Sequence, residues 1–157
     1  IMQRALATHE RRLLEFLLAV NRSFYGAYVQ RWEAQIKTCL VHEVNVPYCL
    51  AISHDEIRSP SGGYTTLARE LIGIDEGVPL LIYAYAVETQ SGYVLDSFDI
   101  DHLDGEPLVA YPEPGDSLMI MEAGKRMGGA DLRHVFKESD LLPRFKLPRD
   151  RLDREAG

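Results

Sequence analysis

VPLLIYAYAVETQSGYVLDSFDIDHL, Val78 to Leu103, is the stretch whose reading decides the fold. Its first part, VPLLIYAYAVE, is dense in β-branched and aromatic residues and apolar at both parities near its middle. A strand of that kind sits at the centre of a sheet and is covered on both sides. Gln90-Ser91-Gly92 supplies turn chemistry, and YVLDSFDIDHL then returns as a second strand. In its alternation Val94, Phe98 and Ile100 fall on one face, with Ser97, Asp99 and Asp101 on the other.

Outward from this hairpin the extended pattern continues. ARELIGI precedes it across an Asp75-Glu76-Gly77 turn. KTCLVHEVNV and PYCLAIS, parted by Asn45-Val46-Pro47, read as an earlier hairpin. SHDEIRSPSGGYTT gathers Ser, Pro and Gly and reads as a loop. SLMIMEA fits a last short strand or a helical turn, since periodicity alone does not separate the two. Before the strands, THERRLLEFLLAV places Leu13, Leu14, Phe16, Leu17, Leu18 and Val20 at helical spacing, with Thr8 as the N-cap. A second helical face follows in Tyr25, Tyr28, Val29, Trp32 and Ile36, with Gly26 as a weak point inside it. The expected fold is α+β: N-terminal helices packed on an antiparallel sheet of about four to six strands. Residues 1–140 form one domain, and 141–157, polar and broken by Pro143 and Pro148, form a charged tail.

Composition narrows the function. The chain has 157 residues, 46% hydrophobic and 26% charged, which excludes wholesale disorder. No apolar run reaches the roughly 18 residues of a membrane helix. No secretory signal is visible, although the chain starts at Ile1 and a removed leader stays open. Two cysteines are too few for a disulfide framework and point to reduced thiols in a cytoplasmic protein. The net charge is −7, and no lysine or arginine occurs between Arg69 and Lys125. The tail reverses the sign with Arg144, Lys146, Arg149, Arg151 and Arg154. An acidic body repels phosphate backbones, so nucleic acid is not the expected partner; a basic protein is.

Chemical candidates are few. Cys39, His42, Cys49 and His54 have the residue types of a zinc site. Cys39 and His42 lie three apart, and Cys49 and His54 five apart, so in regular strands each pair splits between opposite faces. The expectation is that no metal is held there, and neither cysteine opens a helix or carries a nucleophile motif. Gly62-Gly63 lacks the lysine of a phosphate loop, and Ser61 and Ser91 lack a nucleophile elbow. DSFDIDHLDGE is the densest polar cluster, with Asp99 and Asp101 on one strand face, His102 next and Asp104 and Glu106 at the turn. It lacks the calcium-loop register, and alternating acids before an Asp-Gly turn suit a solvent face.

The pieces ERRLLEFLLAV, IDEGVPLLIYAYAV, QSGYVLDSFDIDHLDGEPL and AYPEP, from Glu10 to about Pro114, resemble a family of small bacterial proteins of unknown function. In these an E-x-x-LL-x-x-LL helix precedes a hairpin, an acidic-Gly turn, a long apolar strand and an acidic strand ending in prolines. Their first hairpin is richer in Gly and Cys than VNVPYCLAIS, and the resemblance implies no activity and no site residues.

The expected function is therefore a non-enzymatic binding protein of the immunity or adaptor type, without cofactor. Asp99, Asp101, Asp104 and Glu106 form its contact surface for a protein partner. The alternative is a small hydrolase or metal-dependent enzyme using Asp99, Asp101 and His102, helped by His42 or His54. A third reading is self-association, with the basic tail docked on a neighbour's acidic face.

Overall fold

The computed structural model describes residues 2–44, 48–60, 63–115 and 117–122. The Asn45-Val46-Pro47 turn, Gly62 and the tail of residues 141–157 lie outside them, as does the 140/141 domain boundary. The described residues form an α+β fold. The elements in order are β1 (Arg4–Ala5), α1 (Thr8–Val20), α2 (Arg22–Tyr25), α3 (Ala27–Thr38), β2 (Leu40–Glu43), β3 (Cys49–Ile52), β4 (Tyr64–Thr66), β5 (Arg69–Asp75), β6 (Val78–Thr89), β7 (Gly92–His102) and β8 (Met119–Glu122).

The strands make one antiparallel sheet of order β1-β2-β3-β7-β6-β5-β8, with β4 also paired to β6 beyond the end of β5. Eight strands exceed the expected four to six because β1 and β4 span only two and three residues, too short for alternation to register. SLMIMEA resolves as strand β8, held by the β5 edge. β6 is central, as its composition requires: Leu80, Ile82 and Ala84 enter the main core while Leu81 and Tyr83 enter a second cluster.

The helix layer covers one face of the sheet. All the buried apolar side chains of α1 and α3, from Leu13 to Ile36, join the main core with Val41, Leu50, Leu71, Phe98 and Ile100. The second cluster, Ile72, Leu81, Tyr83 and Met121, lies on the opposite face and contains no helical residue. Each core leucine of α1 is fully buried, which stabilises the fold by about 1.5–3 kcal/mol per side chain relative to exposure.

Three local expectations change. Thr8 is the first helical residue and Ala7 the N-cap, whose backbone N–H donates to Glu10 Oε1 at 2.7 Å. Gly26 does not sit inside a helix but separates α2 from α3 at φ +51°, a left-handed position open to glycine. In β7 a bulge opposite Tyr85 and Ala86 leaves Asp96 without a partner and inverts the parity before it. Leu95, not Val94, therefore joins the main core.

Two side-chain amides act where strands diverge. β3 pairs with β7 only as far as Ser97, so the peptide of Leu95 faces no strand on that side. Gln35 of α3 takes its place, donating to Leu95 C=O at 2.8 Å and accepting from Leu95 N–H at 3.0 Å. Asn21, fully buried after α1, does the same to Arg69 of β5, at 2.8 and 3.0 Å, and donates to Leu17 C=O.

Candidate functional site

Of the sequence-derived site residues, the second face of the sheet carries His42, Cys49, Asp99 and Asp101. Register fixes its rows. Cys49, Asp99 and Tyr83 lie side by side across β3, β7 and β6. His42, Ala51, Ser97 and Tyr85 form a second row, and Asp101, Leu81, Ile72 and Met119 a third. The face thus grades from polar and acidic on β3 and β7 to largely apolar on β6, β5 and β8, where half-buried Ile74, Tyr85, Leu103 and Met119 surround the second cluster and fully buried Glu70 pairs in register with Met121.

The four acids do not present themselves equally. Asp101 is exposed, and its Oδ2 accepts from the Tyr83 hydroxyl at 2.9 Å. Burial, followed by the Asp101 charge and this bond, pushes Tyr83 ionisation far above its usual range, so the phenol keeps its proton. Asp99 is buried, 6% exposed. Its Oδ2 accepts from Ser97 at 3.3 Å, and the Cys49 thiol faces the carboxyl without the geometry of a full hydrogen bond. Desolvation, with the Asp101 charge adding to it, raises the Asp99 carboxyl above its ordinary value. Asp104 contacts His102 Nδ1 and accepts from the Glu106 N–H at 3.1 Å. Glu106 is exposed.

His102 does not join Asp99 and Asp101. One residue beyond Asp101, it pairs with Leu80 and points to the helix-covered face. There its Nε2 lies 3.4 Å from Asp75 Oδ2, whose carboxylate also accepts from Val109 and Ala110 N–H at 2.7 and 3.0 Å. His102 and Asp75 thereby fasten the Leu103–Ala110 connection to the end of the sheet. The three-residue catalytic cluster is split by strand parity.

The cysteine and histidine parity rule holds only in part. Cys39 is the C-cap of α3 rather than a strand residue, and His54 lies beyond the end of β3. Both therefore escape alternation, and Cys39, His42 and His54 line one open cleft of about 760 Å³. Cys49 stands apart on the second face. Among the described residues no three His, Cys, Asp or Glu side chains are grouped closely enough to hold a metal ion.

This cleft holds a contact that the sequence reading missed. Asp96, turned outward by the bulge, accepts through Oδ1 from His54 Nε2 at 3.0 Å. Gln3 donates to Ser53 Oγ at 2.7 Å beside it. Asp96 holds His54 through Nε2, and the nitrogen that a general base would use, Nδ1, is buried rather than turned to the cleft. Burial raises the Cys39 thiol, and burial together with Asp99 pushes Cys49 up to about 12, so neither supplies a thiolate near neutrality. The sequence does hold a signal for the bulge: strict alternation would put Asp96 on the apolar face with Phe98 and Ile100, and Leu95 with Ser97 and Asp99.

Searches against protein-family models, curated proteins and solved structures find no match to this chain.

Proposed function

We propose that the protein is a non-enzymatic binding module that engages a basic protein partner through the second face of its sheet, in the manner of an immunity or adaptor protein. One observation carries this reading: the buried helix side chains all lie on one face, and the other sets an acidic edge beside an apolar field. Such a surface has the composition of a protein interface, with aromatic residues and methionines at its centre and charge at its rim. Half-buried Tyr85 and Met119 would make the centre, over the buried Tyr83 and Met121, and Asp101 and Glu106 the rim. Asp99 is buried and Asp104 engaged with His102, so the charge offered to a partner rests on the other two. The enzymatic alternative finds less support, because His102 is turned away from Asp99 and Asp101.

The test is a binding measurement between the full chain and a copurifying protein once that protein has been identified and purified. The double variant Asp101→Lys, Glu106→Lys should weaken the complex by about tenfold or more and reduce its sensitivity to salt. Reversal of Arg11 and Glu15, an exposed pair on α1, should leave it unchanged. An unchanged affinity for the sheet variant together with a loss for the α1 variant would overturn the assignment.

A further inference from the structure

At the far end of the helix-covered face, α2, α3, β4, β6 and β7 enclose a cavity of about 310 Å³ with aromatic walls. That volume falls at the lower end of the roughly 300–1,000 Å³ in which small-molecule sites occur. We propose that this cavity binds a neutral, planar aromatic molecule of one or two rings. It lies apart from the acidic face and does not depend on it.

The walls are held by their own polar atoms rather than free to collapse inward. Tyr25 Oη accepts from Ala68 N–H at 2.9 Å, and Trp32 Nε1 donates to Tyr93 C=O at 3.0 Å. Tyr28 stacks near Trp32, with centroids 5.8 Å apart at 28°, and meets Tyr93 edge-on at 79°. Gly92 fixes Tyr28 from behind: a Cβ there would stand 2.9 Å from the Tyr28 hydroxyl, and φ of +106° already favours glycine. On the sheet side, Ala86 brings only a methyl group to the lining.

A preorganised set of rings presenting both faces and edges favours another ring, which can be stacked by one wall and met edge-on by the next. An aliphatic molecule of equal size gains burial but not that geometry. Among the described residues no carboxylate lines the cavity, and the Arg69 guanidinium already lies over the Phe24 ring at 4.9 Å, so a cationic ligand would meet a like charge with no counter-charge. Trp32, the chain's single tryptophan, is part of the wall and reports occupancy directly.

The experiment titrates the full chain with p-cresol and, separately, with its saturated counterpart 4-methylcyclohexanol. Binding is read by Trp32 emission excited at the red edge and by calorimetry. Saturable 1:1 binding of p-cresol is expected, with a dissociation constant of about 0.1–1 mM given its few atoms. The saturated analogue should bind at least about fivefold more weakly. Ala86→Leu fills the cavity from the sheet and should abolish binding. Thr65→Phe, at an exposed position on β4, blocks the mouth without loading the core and should do the same. Absence of saturable p-cresol binding, equal binding of the two probes, or undiminished binding by a folded Thr65→Phe protein would each overturn the proposal.

Discussion

Asp99 shows how burial of one side chain sets both the charge and the stability of the second face. Its carboxyl is buried beside Asp101 and its folded pKa is raised, so ionising it works against folding. Below the ordinary carboxylate value the protonated group carries no penalty; as pH rises through the raised folded value the penalty appears and then stays. Asp99→Asn should therefore stabilise the protein at neutral pH, by about 1 kcal/mol, with the gain vanishing toward pH 3. Thermal unfolding followed across that range checks this, and a variant less stable than the parent at pH 7 would contradict it. Glu10 has the opposite sign. Burial alone would raise it, but Arg4, at 2.7 and 2.9 Å, and the Ala7 N–H outweigh burial and hold it below its usual value. Its contribution is present at neutral pH and fades as acid protonates it. Spacing exposed Asp99 as one of a row of acids; it did not show that the residue is buried while Asp101 two positions later is exposed, because burial depends on what packs across the strand.

At the scale of the element, what was legible followed from period and what was not followed from contacts distant in sequence. α1 and the β6–β7 hairpin declare themselves in Leu13 to Leu18 and in Val78 to Ile100, where many residues repeat one pattern. β4 is three residues inside a loop of Ser, Pro and Gly, and exists because Tyr64–Thr66 finds the far half of β6 unpaired by β5. The Asp96 bulge shows locally only as one acid out of step with the apolar face of Phe98 and Ile100. Its cost is met from α3, 60 residues away in sequence, where Gln35 binds both peptide groups of Leu95. Gln35→Leu keeps the volume and removes both bonds, and should destabilise the fold by about 2–3 kcal/mol. Chemical denaturation measures this, and amide exchange at Leu95 should quicken with it. A change under about 0.5 kcal/mol would mean that the edge is satisfied by something other than this amide.

Across the whole molecule, the fold separates its faces by composition. Helices, main core and aromatic cavity share one side; Asp99, Asp101, the second cluster and the largely apolar β5–β8 field share the other. The sequence made the α+β class readable, and it made the acidity of the central region readable. It did not place Cys39, His42 and His54 on one cleft, since a helix end and a loop remove two of them from strand parity. Within the described residues, no helix is long and apolar enough to cross a membrane. The central claim is that a protein partner sits on the second sheet face. Side-chain oxidative footprinting of the purified complex tests it most directly, because modification reports individual side chains rather than strands. The account predicts protection of Tyr85 and Met119 on that face, with Phe16 and Phe24 on the helix side labelled as in the free protein. Protection of Phe16 and Phe24 with Tyr85 and Met119 unchanged would contradict it.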